Sequence, residues 1–197
     1  MRLLAFSDIH RDLDQARRIA ERARDADVLV AAGDFGSVRR GVEQLIDMLV
    51  VVETPTVLVA GNNESVDELR EACGGWRAAH VLHGDGVEID GVSFWGLGGG
   101  IPTTPWPWSW DLTEDEASRA LGSCPDGVDV MVLHSPPHGH LDGGRRSLGS
   151  KALLDGIERV KPRVAVCGHI HECAGESTTV GPTRLFNLGP EGTWIEL

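Results

Sequence analysis

The sequence predicts an α/β protein built on two β-sheets, and three observations carry that prediction. Short apolar runs alternate with helix-periodic segments through the first third of the chain, a hairpin signal opens a second sheet near the middle, and short strand-like segments close the C-terminal end. At 197 residues, with 41% hydrophobic side chains, the chain can bury a core as a single domain over residues 1–197 without disulfide staples. No repeat, low-complexity tract or composition shift divides it.

Arg2–Ser7, Val28–Ala32 and Thr56–Ala60 are apolar runs bounded by Gly or Asp, as strands buried on both faces are. Between them Leu13, Ala16, Ile19, Ala20 and Ala23 recur at helical spacing, and so do Val38, Val42, Leu45, Ile46 and Leu49. This β-α-β-α-β order gives a mostly parallel first sheet. A third helix starts at Ser65, where Glu68 completes a capping box. Val87, Ile89, Val92 and Phe94 then alternate around Asp90-Gly91, the hairpin that opens a second, more antiparallel sheet.

From Gly96 to Asp111 the chain reads GLGGGIPTTPWPWSWD, too rigid and apolar for a linker, and is expected to be an ordered loop near a site. Thr113 with Glu116 caps a further helix, Val128–Leu133 is a buried strand, and Ser150–Val160 is a helix carrying Leu153, Leu154 and Ile157. Arg163–Cys167, Glu176–Val180, Thr183–Asn187 and Thr193–Leu197 are the closing strands.

Eighteen basic against 30 acidic residues give a net charge of −12. That balance argues against extended nucleic acid or an anionic membrane as partner, because both are held through Lys and Arg; a small phosphorylated substrate needs a local cation. The four cysteines form no CxxC pair, and MRLLAFSD has too short an apolar lead for a secretory signal, so a reduced, cytoplasmic protein is expected. The longest apolar runs, such as Met48–Val52, fall far short of the ~20 residues that span a bilayer, so no membrane anchor is expected.

Chemistry is concentrated where metal-binding residue types meet strand ends. Asp8 and His10 follow the first strand, Asp34 the second, Asn62 the third, His134 the Val128–Leu133 strand, and His169 with His171 the Arg163–Cys167 strand. Ligands of open α/β sheets bind outside the carboxyl ends of the strands, so these side chains can converge although distant in sequence. Four imidazoles, two carboxylates and one amide exceed what one ion needs and suit two adjacent divalent ions bridged by a carboxylate. Ligation by N and O without thiolate points to Mn, Fe, Zn or a similar metal.

Taken together, Asp8-Ile-His10, Gly33-Asp34, Gly61-Asn62-Asn63-Glu64, His134 and Gly168-His169-Ile170-His171 resemble, in order, the signature of the calcineurin-like metallophosphoesterases. The stretches around His134–Asp142, Ser147–Ser150 and Asn187–Pro190 are similar to a branch of small members related to the brain protein 239 group. The resemblance implies two mixed sheets packed as a sandwich flanked by helices, with the site at one edge. It also implies that Asp8, His10 and His171 hold one metal, Asp34 bridges, and Asn62, His134 and His169 hold the second. In-line attack on phosphorus by a hydroxide shared between the metals is the chemistry that follows.

Asn63 departs from the pattern, since most members carry His there. An amide cannot donate a proton by acid-base exchange, although its NH2 can hydrogen-bond a phosphate oxygen, and losing a general acid costs ~10²–10⁴ in rate. The expectation is a phosphodiesterase acting on nucleotide-type or aryl diesters, with Asp34 and Asn63 in the catalytic site. The alternatives are a phosphomonoesterase or pyrophosphate-bond hydrolase on the same machinery, or a noncatalytic metal-binding scaffold of the same fold. His138 or His140 is a possible source of the missing proton, Arg11 is a candidate phosphate contact, and Arg145-Arg146 read as solvated. Trp106, Trp108 and Trp110 either wall an aryl or base group or seal the second sheet or a homodimer contact. His80 and His83 read as surface or strand-edge residues, and Cys167 and Cys173 as ordinary thiols.

Overall fold

In the computed structural model, which describes residues 1–143 and 147–197, the chain runs β1 (Arg2–Phe6), α1 (Leu13–Ala23), β2 (Val28–Ala31), α2 (Val42–Leu49), β3 (Thr56–Leu58), α3 (Val66–Ala72) and β4 (Ala79–Val81). The hairpin of β5 (Asp85–Ile89) and β6 (Val92–Leu97) follows, then α4 (Glu114–Leu121), β7 (Val130–Leu133) and α5 (Lys151–Val160). The chain closes with β8 (Val164–Cys167), β9 (Ser177–Val180), β10 (Thr183–Asn187) and β11 (Thr193–Glu196). One sheet has the order β11-β1-β2-β3-β4 and the other β5-β6-β7-β8-β10-β9. Arg145 and Arg146 lie outside the described residues.

Alternation along the strands sorts their side chains into separate cores. Leu3, Ala5, Val28, Val30, Val57 and Val59 face Phe94, Val130, Val132, Val164 and Val166 across the space between the sheets. The intervening Leu4, Phe6, Leu29, Ala31 and Leu58 pack with Ile19, Leu45, Ile46 and Leu49 of α1 and α2. On the other side Trp95, Leu97, Met131, Leu133 and Ala165 pack with Ala117, Leu121, Leu153 and Ile157 of α4 and α5. The result is four layers, helix-sheet-sheet-helix, and each central strand reads as a continuous apolar run because both of its faces are covered.

The expected mostly parallel first sheet is present, with β1 to β4 parallel and β11 added antiparallel to β1. The second sheet differs from expectation: β6, β7, β8 and β10 run parallel, and only the edge strands β5 and β9 are antiparallel. The hairpin signal dominates the local sequence, yet α4 and α5 act as crossovers that return the chain to the same end. β4 is an edge strand that sequence periodicity missed; His80 lies on it and His83 just beyond. The helix expected from Val38 begins only at Val42, because Val38 and Arg39 adopt left-handed φ of 48° and 60° and Gly41 reaches 84°.

α4 and α5 are joined through one side chain. The Glu114 carboxylate accepts from the Ser150 hydroxyl at 2.8 Å and from the N–H groups of Lys151 and Ala152 at 3.0 and 2.8 Å, satisfying the open N-terminus of α5. Glu114→Ala is expected to lower unfolding free energy by about 1–2 kcal/mol, measured by urea denaturation, with no change in the denaturant slope.

Candidate metal centre

The C-terminal ends of β1, β2 and β3 in one sheet meet those of β7 and β8 in the other. There the donors fall into two groups, Asp8 with His10 and His171, and Asp34 with His134 and His169, the donor atoms in each group lying within 4.8 Å of one another. In the first group His171 Nε2 is 3.1 Å from His10 Nε2 and 3.3 Å from Asp8 Oδ1. In the second, Asn62 Oδ1 sits 3.2 Å from His134 Nε2 and 3.0 Å from His169 Nδ1. Asp34 stands between them, Oδ2 3.6 Å from His10 Nε2 and Oδ1 3.5 Å from His134 Nε2.

The donor set fits a pair of divalent ions. Atoms about 2.1 Å from one ion lie about 3.0 Å apart in octahedral and about 3.4 Å in tetrahedral geometry, close to the spacings here. His134 Nδ1 donates to the Ala32 carbonyl at 2.8 Å and His10 Nδ1 to the Gly36 carbonyl at 3.1 Å. Both rings therefore turn Nε2 inward as an electron-pair donor, the orientation that outer hydrogen bonds impose on metal-binding histidines. An acceptor then faces an acceptor at Asn62–His134, an arrangement that only a cation or a proton can hold. The donors permit His10, Asp8 and His171 to hold one ion, Asn62, His134 and His169 the other, and Asp34 both.

Close approach between loops requires glycine at two positions. A Cβ on Gly61 would lie 2.0 Å from Asp34 Oδ1, and one on Gly168 would lie 2.3 Å from Asp8 Oδ2. Asp8, His10, Asp34 and His169 all take left-handed φ, between 43° and 66°. Such backbone is strained for residues with a Cβ and is held here by cross-links: the His169 N–H donates to both Asp8 oxygens at 3.1 Å, Asp8 N–H to Gly33, and His10 N–H to Asp34.

Charge is balanced inside the cluster. Burial works against ionisation of Asp8, but the hydrogen bond from His171 and the charge on His134 outweigh it and bring its pKa down to about 2. Burial would lower His134, but Asp34 and Asp8 overcome it and raise its pKa. Burial and the charge on neighbouring His134 push His169 down to about 4, while the hydrogen bond to Asp8 raises His171.

Beside the donors opens a cavity of about 670 Å³, lined by His10, Asp34, Asn62, Asn63, His169 and His171 and walled by Val38, Pro102, Pro105, Trp106, Trp108, Leu148 and Ile170. Trp106 and Trp108 stack with their ring planes 5° apart. Trp110 separates from them, packing against the helix-side core and the His83 ring. Arg11 lies along Gly41, and His138 is hydrogen-bonded with Ser147 at 2.9 Å; neither lines the cavity. A larger cleft, about 780 Å³, lies over α1 and α2 among Arg17, Glu21, Arg24 and Asp47, away from both donor groups. Cys167 is a buried strand thiol raised well above its ordinary pKa by burial, and Cys173 is partly exposed; neither joins a donor group.

Asn63 lines the cavity with its amide pinned at both ends. Its Nδ2 donates to Asp34 Oδ2 at 2.7 Å, its backbone N–H to Asp34 Oδ1 at 2.9 Å, and its Oδ1 accepts from Val38 N–H at 2.7 Å. Glu64, which the sequence showed only as the last letter of a motif, accepts from the N–H groups of Asp34, Gly36 and Gly61 at 2.9, 2.9 and 2.7 Å and so ties two donor loops together. Burial and the Asp34 carboxylate push its pKa up to about 7, against the backbone N–H groups that favour the anion. Asn187 was visible only within Asn187–Pro190; its Nδ2 donates to the carbonyls of Gly168 and Ile170 and shapes the His169–His171 loop. Ser109 and Asp111, hydrogen-bonded behind Asn62, carried no signal beyond their place in the Trp-rich loop.

A family model described as the calcineurin-like phosphoesterase superfamily domain matches residues 1–195. The UPF0046 protein K07C11.7 of Caenorhabditis elegans is 29% identical over 208 aligned positions, covering 95% of this chain and 69% of that protein. The metallophosphoesterase domain-containing protein 1 of Homo sapiens is 36% identical over 83 residues, which is 39% of this chain and only 26% of the human protein. Among solved structures, TT1561 of Thermus thermophilus superposes with a TM-score of 0.78 at 16% identity, over 96% of this chain and 90% of that one. Among the described residues, no helix is long and apolar enough to cross a membrane.

Two outcomes are expected from this geometry. Glu64→Ala leaves three buried N–H groups without an acceptor, at about 1–3 kcal/mol each, so chemical denaturation should show a loss of about 3 kcal/mol or more, and Glu64→Gln a smaller one. Raised pKa values on His134 and His171 keep both rings protonated to higher pH than a free imidazole. A metal ion must displace those protons, so affinity falls as pH drops; titration calorimetry in buffers of different ionisation heat should show proton release and about tenfold or more weaker binding near pH 6 than near pH 8.

Proposed function

The chain belongs to the calcineurin-like phosphoesterase superfamily, and from that premise we propose that it is a metal-dependent phosphodiesterase whose substrate carries an aryl or nucleobase arm. The observation that carries the reading is Asp34, with one oxygen turned to each donor group, at the floor of a cavity whose walls are apolar. Divalent ions held by Asp8, His10 and His171 and by Asn62, His134 and His169, Mn²⁺ being the first to test, would neutralise phosphoryl oxygens and provide a nucleophile at neutral pH.

The remaining chemistry belongs to the side chains. Trp106 and Trp108 offer a flat stacked surface for a planar arm, and Val38, Leu148 and Ile170 add apolar surface to the same cavity. Asn63 holds both Asp34 oxygens and carries no titratable proton, so it cannot protonate a leaving group, which favours phenolate-like groups over alkoxides. A diester brings one negative charge where a monoester brings two. The chain as a whole is at −12, which works against a doubly charged monoester. That charge supports the diester. The small phosphorylated substrate is also the expected partner, with no role for extended nucleic acid.

The test compares hydrolysis of bis(p-nitrophenyl) phosphate with that of p-nitrophenyl phosphate, using metal-stripped protein titrated with Mn²⁺, in wild type and Asp34→Ala. Diester cleavage should require metal, exceed monoester cleavage, and fall by about 10³-fold or more in the variant, which corresponds to several kcal/mol of lost charge stabilisation. Faster monoester cleavage would move the assignment to a phosphomonoesterase. Silence with metal bound would leave a metal-binding scaffold.

A further inference from the structure

We propose that Ser109 and Asp111 are positioning residues that fix the Asn62 side chain toward His134 and His169 and bind the tryptophan loop to the same amide, so that one half of the metal centre and the apolar cavity form as a unit. The proposal rests on the metal-centre reading above but not on the identity of the substrate. Its basis is a hydrogen-bond chain with only one possible polarity. Asn62 Nδ2 donates to Ser109 Oγ at 2.8 Å, and Ser109 Oγ donates to Asp111 Oδ1 at 2.6 Å. A carboxylate has no proton to give, so the Ser109 hydroxyl must spend its hydrogen on Asp111 and present a lone pair to Asn62. Only the NH2 end of the amide can meet that lone pair. The Asn62 oxygen is thereby turned to His134 and His169, the orientation a metal ligand needs.

Through Asp111 the same chain reaches the aromatic wall. Asp111 Oδ2 accepts from the Thr104 N–H at 2.6 Å and the Thr104 hydroxyl at 2.8 Å, immediately before Pro105-Trp106. The Trp110 N–H donates to the Asn62 carbonyl at 2.9 Å, closing the loop back onto the donor residue. Gly100 lies so close that a Cβ there would stand 2.2 Å from Asp111 Oδ1. A loop anchored in this way cannot shift its tryptophans without disturbing Asn62, and an ion drawing on Asn62 Oδ1 tightens the loop.

The experiment measures binding of Mn²⁺ by titration calorimetry, tryptophan emission during the same titration, and KM against kcat for bis(p-nitrophenyl) phosphate, in wild type, Ser109→Ala, Ser109→Thr and Asp111→Asn. Ser109→Ala should weaken one of the two ions by about tenfold or more and leave the other nearly unchanged, as removal of an outer hydrogen bond does, and Ser109→Thr should restore it. Asp111→Asn keeps an oxygen for Ser109 but sets an NH2 against the Thr104 donors. It should raise KM several-fold, abolish the emission response to metal, and weaken the same ion that Ser109→Ala weakens, by a smaller factor. Equal affinities in Ser109→Ala and wild type would overturn the first half, and an unchanged emission response in Asp111→Asn the second. If Ser109→Ala fails to fold, a Ser109→Thr protein with one ion as weak as a lost ligand overturns the proposal, and one with both ions intact together with the Asp111→Asn result upholds it. A wild type that binds two ions and cleaves no diester would refute the hydrolase reading alone, because the binding and emission readouts need no turnover.

Discussion

The Asp34 carboxylate, held between two sets of imidazoles at the seam of the two sheets, is the constraint on which the rest of the site depends. Neither oxygen is free to swing: Asn63 donates to both of them, and Glu64 takes the Asp34 backbone N–H together with those of Gly36 and Gly61. One buried carboxylate thus orients another. This costs desolvation on two like charges, which is why Glu64 is pushed upward, and the cost is offset by backbone N–H groups that would otherwise be buried without partners.

Strain is concentrated in the same place. Asp8, His10, Asp34 and His169 take left-handed backbone, as does the β-branched Val38 that the cavity wall uses. These conformations persist because each is tied to a neighbouring loop: His169 N–H to Asp8, Asp8 N–H to Gly33, His10 N–H to Asp34, Asp34 N–H to Glu64 and Val38 N–H to Asn63. The helix pattern around Val38 lost to that last contact. A chain whose sequence favoured one more turn of α2 instead bends there, and the Val38 side chain lines the same cavity as Trp106 and Trp108.

Asn63 changes role between sequence and structure. As a letter in a motif it marks a missing acid; in three dimensions its amide is anchored at both ends, one on Asp34 and the other on the Val38 backbone. A side chain with one donor end and one acceptor end suits that position, and what it supplies is the placement of the Asp34 carboxylate and of a cavity wall. That Asn63 carries no titratable proton, together with the apolar cavity walls, is what the proposed substrate class rests on.

The sequence by itself determined the buried strands and the caps at Ser65 and Thr113, and it marked seven candidate donors, six of which the fold gathers into two groups with Asn62 beside them, because those are local facts: an apolar run, a capping box, a donor type just past a strand end. It could not determine the direction of the inner strands of the second sheet, since that follows from where α4 and α5 return the chain and not from any residue pattern. Nor could it find β4, three half-buried edge residues with no alternation to read. Above all it could not show which polar residues outside the motifs serve the donors. Glu64, Ser109, Asp111 and Asn187 act through hydrogen bonds whose partners stand from two to 47 residues apart, and a hydrogen bond leaves no periodicity in the chain. Only the packing of the two sheets and their loops brings those partners within hydrogen-bonding distance, and with them the difference between a set of metal-binding letters and a site with a fixed shape.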